Sequence, residues 1–143
     1  MTQEEQINDL NETVKVKLGA SKIEGIGVFA MRDIAKGQRL YCFPNKQQVW
    51  YNIPYGSLSK LLPEVKDLIL QQWSSIVNGS AFRSPNDTTW FILYINHSDE
   101  PNYDPRTDTV IKDIKGGEEI TEDYKRMDNW QKIFPWLTQE KGV

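Results

Sequence analysis

Apolar and polar positions alternate in short runs along most of this chain. Residues 14–18 read V-K-V-K-L, the two-residue period of a half-buried strand. Gly25-Ile26-Gly27 punctuates the chain before a second short strand, Val28-Phe29-Ala30. Lys36-Gly37 forms a turn into a third strand, Arg39-Leu40-Tyr41-Cys42-Phe43, which Pro44 ends. Residues 57–74 change period: Leu58, Leu61, Leu62, Val65, Leu68, Ile69 and Trp73 follow helical spacing, and Pro63-Glu64 suits a helix start. Asn78-Gly79 and Ser84-Pro85-Asn86-Asp87 are turn signals. Residues 88–95, TTWFILYI, form the most strand-like apolar run. Residues 96–106 look like a loop, with Pro101 and Pro105. Val110-Ile111 and Glu119-Ile120-Thr121 form short strands around a turn at Lys115-Gly116-Gly117. Trp130 to Leu137 is aromatic-rich and reads as a helix interrupted at Pro135. The acid-rich residues 1–12 read equally as a short helix or a flexible leader. The pattern predicts a mostly-β or α+β domain with one inserted helix.

Composition narrows this picture. A length of 143 residues favours one domain, and 38% hydrophobic residues suffice for a core. A net charge of −3 and a pI near 5.2 offer no basic face, so direct nucleic-acid binding is not expected. Cys42 is the sole cysteine, which excludes an internal disulfide and a cysteine-based zinc cluster within one chain. It is expected to be a small core or strand residue. No apolar run is long enough for a membrane helix and no signal-peptide pattern is present. The expected compartment is cytoplasmic, or nuclear for a eukaryotic source or a eukaryotic virus.

Three segments carry a more specific signal. The first is Ser21-Lys22-Ile23-Glu24-Gly25-Ile26-Gly27-Val28-Phe29-Ala30, followed by Arg32-Asp33-Ile34-Ala35-Lys36-Gly37. The second is Tyr94-Ile95-Asn96-His97-Ser98 with Pro101-Asn102 behind it. The third is Asp113-Ile114-Lys115-Gly116-Gly117-Glu118-Glu119-Ile120-Thr121-Glu122-Asp123-Tyr124. A lone G-x-G is a weak signal, since glycine pairs are mostly turns. The three blocks in this order resemble the signature of the SET-domain protein-lysine methyltransferases, over about residues 14–124. The resemblance implies a mostly-β, β-clip fold: small curved sheets around a knot-like core, with an inserted helical segment and a short C-terminal aromatic helix. It divides the chain into a leader (1–12), a SET domain (13–126, variable insert about 55–80) and a C-terminal aromatic flap (127–143). It also implies a minimal member without a cysteine-rich zinc cluster.

The family's roles carry over residue by residue. The resemblance implies S-adenosyl-L-methionine as cofactor and a lysine-bearing protein or peptide as partner, histones among the candidates. Gly25 and Gly27 match the cofactor turn, where missing side chains let the backbone around Ile26 approach the donor. Asn96 and His97 match the cofactor-binding pair; an asparagine amide both donates and accepts. His97, the only histidine, is expected to order the core rather than act as a base, and too few ligands surround it for a metal site. Tyr124 matches the catalytic tyrosine and also borders the cofactor. Trp130, Phe134 and Trp136 are candidates to cover the adenine and wall the lysine channel; core packing is the other reading. Monomer and homodimer are both open.

Three positions depart from the family pattern. Glu122 stands where an aromatic residue usually lines the lysine channel. A carboxylate there can pair with the incoming ammonium, yet it also holds the proton on that amine. Alternatively Glu122 turns outward and Tyr94 or Tyr103 supplies the wall. Leu93 replaces a frequent arginine, and Asp99 a frequent cysteine. Glu122 keeps a second expectation open, a SET-like module that binds cofactor or peptide without turnover.

Overall fold

The computed structural model describes residues 1–42, 51–72, 75–77, 80–83 and 91–138. The alternating run near the N-terminus forms β1 (Val16–Ala20), which pairs antiparallel with β2 (Ile26–Ala30), Val16 opposite Ala30 and Ala20 opposite Ile26. The strand thus begins at Ile26, inside the glycine turn. Ser21 N–H donates to the Gly25 carbonyl at 2.8 Å and closes that turn. Gly25 has φ +44°, a left-handed conformation that glycine adopts without a Cβ penalty.

The predicted loop after residue 95 contains two short strands, β6 (Asn96–His97) and β7 (Tyr103–Asp104). β8 (Thr109–Val110) pairs with β7, and β9 (Glu119–Glu122) follows the Lys115–Gly117 turn. β9 lies between β2, antiparallel, and β6, parallel, giving the order β1-β2-β9-β6. A parallel pair needs a crossover. Here the crossover also grips β9: Ser98 N–H donates to the Glu122 carbonyl (2.9 Å) and Asn102 N–H to that of Thr121 (3.3 Å). The Asn102 amide, buried, donates to the Glu119 carbonyl (2.9 Å) and accepts from Thr121 N–H (2.8 Å).

A separate sheet forms within residues 51–83. β3 (Tyr51–Pro54) and β4 (Ser75–Val77) flank β5 (Ser80–Arg83). The helical stretch predicted over residues 57–74 divides at Leu61-Leu62. A 3-10 turn spans Tyr55–Lys60, and α2 spans Pro63–Gln72, opened by a proline whose missing N–H costs nothing there. Trp73 and Ser74, the Asn78-Gly79 turn and residues 84–90 lie outside the described residues.

Two predicted strands are corrected. Within TTWFILYI, Phe91–Tyr94 is a 3-10 turn; Thr88–Trp90 lie outside the described residues. Its burial is not alternating: Phe91 and Ile92 pack on the core, while Leu93 is 72% exposed. Of the strand predicted over Arg39–Phe43, only Arg39 makes a β-bridge, to Thr109; Phe43 and Pro44 lie outside the described residues. The reason is Asp108. Its buried carboxylate accepts from Tyr41 N–H (3.0 Å), Cys42 N–H (3.3 Å) and the Tyr103 hydroxyl (2.6 Å), replacing a partner strand. Tyr41 and Asp108 both take positive φ to reach this arrangement.

Two apolar cores result among the described residues. Val16, Val28, Ile34, Leu40, Ile95, Tyr103, Val110, Ile114 and Ile120 fill the first, under β9. Ile7, Leu10, Tyr51, Ile53, Leu58, Leu61, Val65 and Ile69 fill the second. The leader is therefore α1 (Gln3–Thr13), capped by Thr2 and packed against the insert through Ile7 and Leu10. Arg32 joins the two cores: its guanidinium donates to the carbonyls of Asn11 (2.7 Å) and Val14 (2.9 Å) and faces Glu64 at 3.5 Å. A cation on the last carbonyls of a helix also suits its dipole. Leu10 is fully buried. Leu10→Ala is expected to cost about 2–5 kcal/mol of unfolding free energy in urea titration. A loss below about 0.5 kcal/mol, the range of surface substitutions, would show that α1 is dispensable.

Candidate active site

The site forms where β6 and β9 run side by side. Their register sets Asn96 opposite Thr121 and His97 opposite Glu122. The Asn96 amide nitrogen meets four acceptors: Glu119 Oε2 (2.9 Å), Ser21 Oγ (3.1 Å), the Glu24 carbonyl (3.1 Å) and the Ile26 carbonyl (3.2 Å). With two N–H bonds to give, it is outnumbered by acceptors. It therefore pins the Gly25–Gly27 turn to β9. Ser21 Oγ donates to the Glu119 carboxylate (2.7 Å) and completes the clasp. A Cβ on Gly27 would stand 2.6 Å from Glu119 Oε2, so the clasp needs glycine there.

His97 is fixed by its neighbours. Tyr124 N–H donates to Nδ1 at 3.0 Å, which makes Nδ1 the acceptor and places the ring proton on Nε2. Nε2–H in turn donates to Asp99 Oδ1 at 3.0 Å. That hydrogen bond, with Lys125 beside it, holds the Asp99 carboxyl below its usual range. The histidine thus orders the start of the next turn through Tyr124, and its ring is fully committed.

Tyr124 opens a 3-10 turn, Tyr124–Arg126. Its hydroxyl donates to the Ile95 carbonyl at 2.5 Å. Burial, with the charges of Glu122 and Glu119, pushes the phenol above its ordinary value, so it stays protonated at neutral pH. Its ring stacks 4.7 Å from Phe134, and Phe134 meets Trp136 edge-on at 5.4 Å. These aromatics come from α3 (Trp130–Ile133) and the turn Pro135–Thr138, separated at Phe134.

Together these groups line one cleft of about 890 Å³: Ile23, Glu24, Asn96, His97, Asp99, Tyr124, Phe134, Trp136 and Leu137. The size suits a small organic ligand, and the walls join apolar rings to a few converging polar atoms. Gly25 and Ile26 adjoin it through the Asn96 clasp. The other expected residues lie elsewhere. Trp130 lies beneath the Lys125 ammonium, 5.4 Å from its ring centre. Tyr94 is exposed and is not among the residues lining this cleft. Tyr103 is 1% exposed with its hydroxyl committed to Asp108. Burial pushes the Cys42 thiol well above its ordinary value, so it stays a protonated core group. Among the described residues, no group of three or more His, Cys, Asp or Glu could hold a metal ion.

Glu122 does not turn outward. It is 2% exposed, and Arg126 Nη2 donates to its Oε1 at 2.9 Å. Ser21 and Glu119 lie within the signature blocks with no role expected of them there, and Arg126 lies beyond them; the fold brings all three to these partners.

The SET-domain family model matches residues 25–125 of this chain. The chain belongs to the SET-domain family. Members of this family are generally protein-lysine methyltransferases that use S-adenosylmethionine. No curated protein matches the chain in sequence. Among solved structures it is similar to the Chaetomium thermophilum Polycomb Repressive Complex 2 bound to GSK126, at 23% identity, covering 87% of this chain and 18% of that one (TM-score 0.44). A humanized mutant of that complex bound to GSK343 is 26% identical, with 86% and 17% covered (TM-score 0.44). A Plasmodium falciparum protein provisionally assigned as a histone methyltransferase is 21% identical, with 77% and 92% covered (TM-score 0.36). The chain spans less than a fifth of the Polycomb chains it matches.

Burial pushes the Glu122 carboxyl above its ordinary range, and Arg126 only partly opposes this. The folded protein then holds this proton more tightly than the unfolded chain. Its contribution to stability is present at low pH and falls as pH rises through the carboxylate range. Urea titrations from about pH 4 to about pH 8 should show wild type losing stability relative to Glu122→Gln as pH rises. A pH-independent difference would contradict a raised carboxyl.

Proposed function

We propose that this chain is an S-adenosylmethionine-dependent protein-lysine N-methyltransferase. The observation that carries the reading is the convergence of Asn96, His97 and Tyr124 on one aromatic-walled cleft beside the Gly25–Gly27 turn. The donor set fits the cofactor. Glu24 and the Asn96 clasp offer carbonyl and carboxylate acceptors to an ammonium group. Phe134 and Trp136, the latter 54% exposed, offer ring faces to a purine. When bound, the cofactor supplies a methyl group on a sulfonium, electrophilic towards a neutral amine.

The residues of the chain do the positioning, which is the larger part of what such a transfer needs. Asn96 holds the glycine turn at fixed distance from β9. His97 fixes the Tyr124 backbone, and the Ile95 carbonyl fixes its hydroxyl. The phenol, kept protonated, aligns the reacting groups and is no base at neutral pH. The lysine ammonium gives its proton to water before the neutral amine attacks.

A second reading has a specific observation in its favour. The Glu122 carboxylate, already paired with Arg126, occupies the position where an aromatic wall was expected, as in a module that binds without turnover. Methyl transfer from labelled cofactor to histones and to a lysate of the source separates the two. We expect transfer, with Tyr124→Phe lowering kcat about a hundredfold at nearly unchanged affinity for S-adenosylhomocysteine. Asn96→Ala should weaken that affinity about tenfold or more. Cofactor binding without transfer to any substrate would favour the binding module.

A further inference from the structure

Glu122 and Arg126 are an incomplete ion pair. A guanidinium and a carboxylate can make two parallel hydrogen bonds. Here a single bond joins Arg126 Nη2 to Glu122 Oε1, while Glu122 Oε2 and Arg126 Nε are buried with no hydrogen-bond partner among the described residues. A buried pair in this state carries the desolvation of both ions without the full return from their contact. The pair also brackets Tyr124: carboxylate, phenol and guanidinium fall within five consecutive residues, 122–126. The charge of Glu122 is felt at the Tyr124 phenol.

Arg126 has somewhere to go. It lines a second cleft, of about 190 Å³, with Tyr103, Asp104, Arg106 and Asp123 among the walls. Asp104 and Asp123 put two carboxylates there, one of them held by Arg106 at 3.2 Å. Glu122 is buried and lines neither this cleft nor the first.

We propose that Arg126 is an internal cation that covers the Glu122 carboxylate until a substrate ammonium displaces it, which makes Glu122 the residue that selects a charged primary amine. This rests on the lysine-methyltransferase reading above. An ammonium carries three N–H donors and satisfies the orphan Oε2 that the guanidinium leaves bare. The released guanidinium moves into the second cleft beside Asp104 and Asp123. One cation replaces another against the Glu122 carboxylate, and the displaced charge is taken up beside Asp104 and Asp123. The amine that arrives protonated is recognised by its charge, and it then gives its proton to water before attack.

The test uses n-butylammonium, the end of a lysine side chain, titrated into the full chain labelled with nitrogen-15. Wild type should show the Arg126 Nε–H resonance moving on titration. Arg126→Gln, which uncovers the carboxylate, should bind butylammonium about tenfold more tightly. Glu122→Gln should bind it about tenfold more weakly, and adding Arg126→Gln to it should change little further. Arg126→Lys keeps a cation at this position and serves if the Gln variant fails to fold; its affinity should lie between wild type and Arg126→Gln. Equal affinities across folded variants, or an unmoved Nε–H resonance, overturn the proposal. Methyl transfer to lysine with those equal affinities would leave the function standing and remove this inference. Butylammonium binding as described, without transfer to any substrate, would keep the inference and remove the function.

Discussion

The parallel pairing of β6 with β9 is the constraint on which the site depends. It joins two short segments more than twenty residues apart, Asn96–His97 and Glu119–Glu122, in a register that nothing local enforces. Two-residue strands are weak alone. This one holds because the crossover reads the β9 backbone: the Asn102 side-chain amide occupies both a carbonyl and an N–H of β9, and the main-chain N–H groups of Asn102 and Ser98 add two further bonds. From that register follow the Asn96 clasp on the glycine turn, the His97 bond to Tyr124, and the burial of Glu122.

Most polar groups at the site spend their hydrogen bonds on one another. Asn96 faces more acceptors than it can serve, His97 uses both ring nitrogens, and the Tyr124 hydroxyl holds the Ile95 carbonyl. Such mutual restraint fixes side chains before any ligand arrives, which favours positioning over rearrangement. The Glu122–Arg126 pair is the exception, with one polar atom on each side unmatched. A rigid set of positioning groups beside one incomplete ion pair is the electrostatic character of this site.

Much of this was legible in the sequence, for a reason that also marks the limit. Gly25, Gly27, Asn96, His97 and Tyr124 sit in ordered local blocks, so their types and spacing point to the chemistry. The sheet around β9 and the helix after Leu62 followed from period and resemblance. What was illegible depends on partners distant in sequence. TTWFILYI has strand composition, yet residues 91–94 turn because Phe91 and Ile92 must face the core just before β6. The strand expected at residues 39–43 is replaced by the Asp108 carboxylate, which no pattern around Tyr41 announces. Glu122 was recognisable as a departure, but its burial and its Arg126 partner were not. The leader, readable as helix or frayed chain, becomes α1 because the insert offers an apolar surface for Ile7 and Leu10.

In the proposed function one cleft, built by β6, β9 and the C-terminal aromatics, takes the cofactor. The most direct measurement is a chemical-shift map of the nitrogen-15 labelled protein titrated with S-adenosylhomocysteine. The largest changes should fall at Gly25–Gly27, Asn96–Asp99, Tyr124 and Phe134–Leu137, with α1 and α2 unmoved. No binding, or shifts centred on the insert rather than on the cleft, would contradict it.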